Sequence, residues 1–201
     1  MAIKYRWKIE KVTLLPFGAL TVFNEDLNRK IKEEFFIVIM GPIFQIIFTF
    51  LICHLFNSKI ILEYSIFILF FNLLPIYPLD GAKIINLFLN VITCFNKSHI
   101  TTIVLSIITI IILLFYNFNL ILFLILILLF KQIVKEIINH KNIFNRFLLE
   151  RYLKKYRFKK YKKIKNIHQM KRDYNHLILN GNNYICESQA LHKRFDFKRK
   201  L

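Results

Sequence analysis

The sequence predicts an all-α membrane protein of about four transmembrane helices, with a short membrane-associated β-hairpin and a basic, partly helical cytosolic tail. Hydrophobic residues make up 56% of the 201 residues and charged residues only 21%, a balance that excludes an ordinary water-soluble globule. The net charge is +18. Residues 131–201 hold 20 basic and 5 acidic side chains, and so contribute +15 of this net charge. We therefore predict a membrane-embedded core over residues 1–130 and a basic tail over residues 131–201.

The first predicted element is a β-hairpin over residues 12–23. Its sequence, VTLLPFGALTVF, is apolar and rich in residues that favour strands, with Pro16 and Gly18 at the turn. Such a hairpin at the bilayer surface offers a strand edge that could pair with an unwound substrate. The alternative is an interfacial anchor with no role in substrate binding.

Three charge-poor stretches predict the spans. Residues 35–56 run without a charge, and residues 60–79 carry only Glu63. About 20 apolar residues suffice to cross the ~30 Å hydrocarbon core. Residues 100–130 also lack charge but are long for one span, so we predict two helices joined by a turn at residues 116–119 rather than a single helix.

The distribution of basic residues predicts the orientation. Residues 1–34 hold seven Lys and Arg and the tail holds twenty, whereas the connections that we place outside hold almost none. Cytoplasmic flanks are enriched in positive residues, so both termini are expected in the cytosol. The last span, residues 120–130, is short and must borrow length from residues 131–140, with lysines snorkelling to the interface.

Aromatic and basic residues alternate over residues 151–163 of the tail. Beside a membrane span, such a cluster predicts contact with anionic lipid or serves only to set the topology. No RNA-binding signature accompanies the charge, which argues against nucleic acid as a partner.

Chemistry is concentrated in residues 72–81, NLLPIYPLDG. Pro75 and Pro78 remove backbone donors and break a helix, which a membrane tolerates only where protein or a cavity supplies partners. Asp80 follows this break, and an ionisable residue at membrane depth is a candidate functional group. The alternative is that Asp80 lies at the interface and pairs with Lys83, three residues on.

The run Asn-x-x-Pro-x-x-Pro-Leu-Asp-Gly resembles the second signature of the site-2 protease family of intramembrane zinc metalloproteases, in the branch of stage IV sporulation protein FB. The segment Leu14-Leu15-Pro16-Phe17-Gly18 resembles the membrane-associated loop of that family, and Met40-Gly41-Pro42 resembles the Gly-Pro of its next span. The resemblance covers residue 6 to about residue 130.

This resemblance implies an enzyme of the inner membrane of a bacterial cell that hydrolyses a peptide bond of a membrane-embedded protein substrate. In the family, zinc is held by two histidines of a His-Glu-x-x-His helix and by the aspartate of the Leu-Asp-Gly element, so Asp80 would be the third zinc ligand. The residues implied in shaping the substrate's approach are Asn72, Pro75, Pro78, Leu79, Gly81, Pro16, Phe17 and Gly18.

The sequence departs from the family in its histidines. None of the six is spaced as His-Glu-x-x-His; His54 is expected at the outer end of the first span, and the others are expected to be solvated or interfacial. Two hypotheses follow: the chain is a fragment whose metal-binding helix lies upstream, or it is a catalytically inactive pseudoprotease or membrane adaptor that binds partners without cleavage.

Overall fold

A computed structural model of the chain describes residue 7 and residues 9–15, 18–23, 26–56, 59–116, 120–181 and 183–196. Two strands come first, β1 (Ile9–Leu15) and β2 (Gly18–Phe23). They pair antiparallel, with Leu15 opposite Gly18, which confirms the predicted hairpin.

Helices make up most of the rest. They are α1 (Ile31–Phe56), α2 (Lys59–Asn72), α3 (Asp80–Ile92), α4 (Phe95–Tyr116), α5 (Leu120–Lys154) and α6 (Glu187–Asp196). Between α5 and α6 lie β3 (Lys160–Ile164), a short 3₁₀ helix (Ile167–Gln169), β4 (Tyr174–Asn180) and β5 (Asn183–Cys186).

Among the described residues, two helices, α1 and α4, are long and apolar enough to cross a membrane. Their apolar side chains point outwards: Phe50 is 75% exposed and Phe115 is 89% exposed, as expected of surfaces that face lipid. By contrast, α2 has 14 residues, which at 1.5 Å per residue is about 21 Å and falls short of the hydrocarbon core. The helix lengths therefore do not confirm four membrane spans, and that number remains a prediction.

The charge-free stretch of residues 100–130 folds as two separate helices, α4 and α5, as the sequence predicts. Ile103 and Ile110 of α4 are buried in one cluster with Leu126 and Leu129 of α5. The second helix is longer than expected, because α5 continues beyond His140 as one helix of 35 residues. The boundary predicted at residue 130 thus lies inside a continuous helix.

The tail corrects the all-α prediction. Strands β3, β4 and β5 form a three-stranded sheet, parallel between β3 and β4 and antiparallel between β4 and β5. The sequence did not reveal β3 because four of its five residues are exposed; an edge strand of lysines lacks the alternation of apolar and polar residues that predicts a strand.

A second core joins this sheet to the helices. This core contains Phe147 of α5, Leu191 of α6 and Met170, which follows the 3₁₀ helix; all three are almost fully buried. The ring of Phe95, the first residue of α4, stacks on the ring of Phe147 at 4.3 Å between centroids. The backbone N–H of Phe95 also donates to the carbonyl of Met170 at 3.0 Å. The tail is therefore packed directly against the start of an apolar helix.

Candidate functional site

The segment between α2 and α3, residues 73–79, breaks the helix where the two prolines predict. Its turns are closed by local backbone hydrogen bonds, from the N–H of Ile76 to the carbonyl of Leu74 and from the N–H of Leu79 to the carbonyl of Ile76, each at 2.8 Å. Ile76 is fully buried, Leu79 is 5% exposed, and Pro78 is buried. The break is thus a packed element that fixes where α3 begins.

Gly81 is required by this packing. A Cβ atom at position 81 would lie 2.0 Å from the carbonyl oxygen of Leu73 and 2.5 Å from that of Leu74. Both contacts are with backbone, which cannot rotate away as a side chain can. The Asp-Gly pair therefore lets the start of α3 approach the end of α2 closely enough to hold the break together.

Asp80 is the first residue of α3 and is only partly buried, with 34% of its side chain exposed. One carboxylate oxygen, Oδ1, lies 3.6 Å from Nζ of Lys83, which is the i,i+3 ion pair that the sequence offered as an alternative role. The other oxygen, Oδ2, faces α1, where a Cβ atom on Gly41 would stand 3.1 Å from it. The Gly-Pro and Leu-Asp-Gly segments are therefore in contact.

Asn72, the last residue of α2, links this helix to α1. Its Nδ2 donates to Oε1 of Gln45 at 3.4 Å, and Nε2 of Gln45 donates to the carbonyl of Ser65 at 3.4 Å. Both bonds are at the long end of the usual range. They hold the residue that opens the NLLPIYPLDG run against the helix that carries Gly41.

Tyr77 anchors the break to the other two helices, a role that the sequence did not reveal. Its backbone N–H donates to Oγ of Ser106 on α4 at 3.0 Å, and its side chain lies close to Glu136 on α5. Oε1 of Glu136 also lies 3.4 Å from Nε2 of His99, whose ring stacks on His140. The sequence feature that could have indicated this role is Glu136, an acidic residue shortly after a charge-free stretch.

The hairpin residues are only partly placed. Pro16 and Phe17 lie outside the described residues, and Gly18 is the first residue of β2.

The histidines do not gather around Asp80. His99 and His140 stack on each other, and His176 is 2% exposed in the tail, so the expectation that the histidines other than His54 are solvated or interfacial is wrong for His176. In the described part of the chain, no group of three or more His, Cys, Asp or Glu side chains could hold a metal ion. These residues therefore do not form a zinc site by themselves.

Arg151 is the centre of a buried polar junction, not part of a lipid-facing cluster as its sequence context suggested. It is 3% exposed, and its guanidinium donates to Oδ1 of Asn28 at 2.6 Å, to the carbonyl of Lys171 at 2.8 Å and to Oε1 of Glu187 at 2.9 Å. These partners belong to the segment before α1, the loop before β4 and helix α6. One side chain thus ties the tail to the start of the first apolar helix.

A second contact between tail and α1 lies beside it. Nη2 of Arg172, which is almost fully buried, is 2.7 Å from Oε2 of Glu34 and also donates to the carbonyl of Arg29. Oδ2 of Asp173 accepts from the backbone N–H of Ile31, the first residue of α1, at 3.2 Å. The tail therefore supplies the cap for α1.

The junction fixes the protonation of His176. The backbone N–H of Lys171 donates to Nε2 of His176 at 3.0 Å, so the ring proton is on Nδ1, which lies 3.0 Å from Oε2 of Glu187. Burial lowers the pKa of His176 below its ordinary value of 6.5, against the opposing effect of Glu187. Burial also acts to raise the pKa of Glu187, but the hydrogen bond with His176 and the charge of Arg151 outweigh it and lower that pKa.

Comparison with known proteins gives one informative relationship. The chain is similar to stage IV sporulation protein FB of Bacillus subtilis (strain 168). The two are 37% identical over 107 residues. This similarity supports a relationship to the site-2 protease family, which is the family that residues 72–81 resemble. The match covers 49% of this chain and 37% of the relative, so this chain spans little more than a third of the relative's length. No protein-family model matches the chain.

Proposed function

We propose that the chain forms the aspartate-bearing part of an intramembrane zinc protease of the site-2 type, in the inner membrane of a bacterial cell. In this proposal the core crosses the membrane four times and both termini are cytosolic. The reaction is hydrolysis of a peptide bond in a membrane-associated protein substrate. The observation that carries the proposal is the contact between Asp80 and Gly41, which joins the two family-like segments at one place.

The geometry around Asp80 suits a ligand held ready for a metal. The carboxylate is fixed at the start of a helix by the buried break of residues 73–79, yet 34% of it is exposed. Lys83 contacts only Oδ1, and at an exposed site such an ion pair is worth about 1 kcal/mol or less. A metal ion could therefore replace the lysine at little cost.

The proposed zinc site is incomplete within the described residues, which contribute Asp80 and no histidine close to it. A His-Glu-x-x-His segment must then come from outside them, either from further sequence of the same protein or from another polypeptide. With 37% of the relative's length covered, the similarity leaves room for such a segment.

The hairpin supports a role in holding substrate. A protease binds its substrate extended, and the two-stranded sheet of β1 and β2 offers strand edges for an unwound substrate segment to join. In this proposal Asn72 and Pro75 form a substrate cradle together with the hairpin, and the buried Pro78 and Leu79 hold the break in place.

The second candidate is a pseudoprotease or membrane adaptor that binds partners without cleavage. It is favoured by the absence of a three-residue metal group among the described residues and by the ion pair that already satisfies one oxygen of Asp80. In this case the cradle binds a membrane protein and no metal is held.

The experiment that separates the two candidates is the zinc content of the full chain, tagged at its C terminus and purified with its partners from membranes of its native host. The protease proposal expects one zinc per chain, lost in Asp80→Asn and retained in Lys83→Gln, the matched loss of charge three residues away. The absence of zinc in the unmodified complex, or equal zinc in Asp80→Asn, would leave the adaptor as the function.

The basic surface that remains in the tail is smaller than the sequence suggests, since Arg151 and Arg172 are buried. In this proposal the exposed lysines of β3 contact anionic lipid headgroups. Nucleic acid is not part of it.

A further inference from the structure

An apolar groove runs between α4 and α5 on the outer face of the helices. It has a volume of about 350 Å³ and is lined by Ile107, Ile111 and Leu114 of α4 and by Leu126, Ile127 and Phe130 of α5, among others. Every residue lining it is apolar except Lys131, which lies at one end. The groove belongs to neither Asp80 nor the tail junction.

A second hollow continues from this end. It has a volume of about 570 Å³, and Phe130 and Lys131 line both cavities. Lys135, one helical turn beyond Lys131, lies in its wall with Val134. All the residues that line this second hollow belong to α5. We call the two adjoining hollows the channel; one part of it is apolar and the other carries two positive charges.

Neither Lys131 nor Lys135 forms a salt bridge within the part of the chain that the structure describes. Both side chains are exposed, and no described carboxylate lies within ion-pair distance of either ammonium group. The neighbouring acid, Glu136, is influenced by the charge of Lys135 but lies towards His99 and Tyr77. Two exposed cations without a salt bridge, at the end of an apolar groove, favour an anionic ligand.

We propose that this channel binds one anionic phospholipid, with an acyl chain in the groove between α4 and α5 and the phosphate headgroup on Lys131 and Lys135. Acyl chains fill an apolar groove between helices that would otherwise be empty, and basic pockets between membrane helices bind anionic headgroups. The apolar groove and the two lysines thus match the two halves of such a lipid.

The size of the groove argues against a helix as its occupant. A helix about 10 Å wide fills roughly 420 Å³ in each 5.4 Å turn, which is more than the whole groove. The segment from Ile107 to Leu114 extends over about two turns. A single acyl chain is narrow enough to enter it, whereas a helix from a second copy could insert only side chains and would have to supply acidic groups for both lysines.

The test is a native mass spectrometry titration of the full-length protein in detergent with phosphatidylglycerol and, separately, with phosphatidylcholine of the same acyl chains. We expect one phosphatidylglycerol to be retained in preference to phosphatidylcholine. Lys131→Gln and Lys135→Gln should each weaken retention about fivefold, as expected for one basic contact near a membrane surface. Ile111→Trp, which fills the groove, should abolish preferential retention.

Two matched control variants test whether the lipid binds at this groove. Ile112→Trp changes the adjacent residue, which is exposed but does not line the groove, and Lys141→Gln removes an exposed charge further along α5. Both should retain the lipid like the unmodified protein. Equal retention of the two lipids, equal losses in the controls, or cross-linking of a cysteine at position 111 to a second copy in membranes would each overturn the proposal.

Discussion

Gly41 and Asp80 meet where α1 packs against α3. A Cβ atom on Gly41 would stand 3.1 Å from Oδ2 of Asp80, closer than a comfortable van der Waals contact. The glycine therefore leaves space for the carboxylate at the helix surface. This contact gives physical meaning to two short motifs that are far apart in the sequence, since one motif makes room for the carboxylate of the other.

Substitution of Gly41 should show this steric relationship. Gly41→Ala adds helix propensity worth about 0.5–1 kcal/mol, which offsets the crowding of a half-exposed Asp80 side chain, so thermal stability in detergent should change little. Gly41→Val adds a branched side chain at the same place and should destabilise by about 1–3 kcal/mol. Ile43→Val, a small change at a partly exposed position on α1, is the control; an equal loss there would show that the contact with Asp80 is not the cause.

Gly81 should tolerate nothing larger than hydrogen. A Cβ atom would lie 2.0 Å from the carbonyl oxygen of Leu73, and because backbone must shift, we expect Gly81→Ala to cost about 3 kcal/mol or more. The measurement is the melting temperature of the detergent-solubilised protein. Ala82→Gly, at a neighbouring buried position, should cost only about 1 kcal/mol, so similar losses in both would contradict the packing described here.

An interaction between the neighbouring side chains of Tyr77 and Glu136 should stabilise the helix break. Tyr77→Phe removes one hydroxyl and should lower the free energy of unfolding by about 1 kcal/mol. A double-mutant cycle with Glu136→Gln should give a coupling energy of about 0.5–3 kcal/mol. Tyr64→Phe, at a site that is 68% exposed, should have no measurable effect; zero coupling in the cycle would show that the two side chains do not act together.

Arg151 should be essential for docking the tail. Arg151→Gln leaves Glu187 without its charged partner, and breaking a buried pair costs about 3–5 kcal/mol. Limited proteolysis should then cleave the tail far faster than in the unmodified protein. Arg146→Gln removes an ion pair with Glu150 that is 54% exposed on the arginine side, and should leave the proteolysis rate within about twofold. Equal rates for the two variants would contradict the buried junction.

The same junction should make the tail less stable in acid. The pKa of His176 is lowered in the folded protein, so as the pH falls below 6.5 the unfolded chain takes up a proton that the folded chain does not, and stability decreases. The lowered pKa of Glu187 contributes stability above its ordinary value of 4.5, which is lost as the pH falls through the folded value. Melting temperatures from about pH 7.5 to about pH 3 should therefore decline in two steps, the first below about pH 6.5 and the second below about pH 4.5.

A histidine variant identifies the first of these steps. His176→Asn should reduce the decline between about pH 6.5 and pH 5, because the titrating group is gone. His192→Asn removes a half-exposed histidine paired with Asp196 and should leave the decline unchanged. An unaltered slope in His176→Asn would mean that another group causes the loss in acid.

The apolar helices, the helix break and the hairpin could be predicted from the sequence because their signals are local. Length without charge identified the two longest apolar helices, the prolines at positions 75 and 78 identified the break, and Pro16 with Gly18 identified the hairpin. Each of these rests on a few neighbouring residues and on backbone chemistry that does not depend on the rest of the fold.

The tail could not be predicted in the same way. Arg151 looks like any other basic residue in a lysine-rich run, and its burial depends on Asn28 and Glu187, which are distant in the sequence. Strand β3 has a single buried residue, Ile164, so no periodicity marks it. The role of Glu136 likewise depends on the position of Tyr77, which only the packing of α5 against the helix break determines.

The most direct test of the central claim is a disulfide between positions 41 and 80 in native membranes, in a chain whose three cysteines are replaced by alanine. Gly41→Cys with Asp80→Cys should cross-link rapidly under mild oxidation, because a Cβ atom at position 41 would lie 3.1 Å from Oδ2 of Asp80. The control pair, Gly41→Cys with Phe88→Cys, moves the second thiol roughly 12 Å along α3 and should not cross-link. No cross-link in the first pair, or equal cross-linking in both, would show that Gly41 and Asp80 do not form one site.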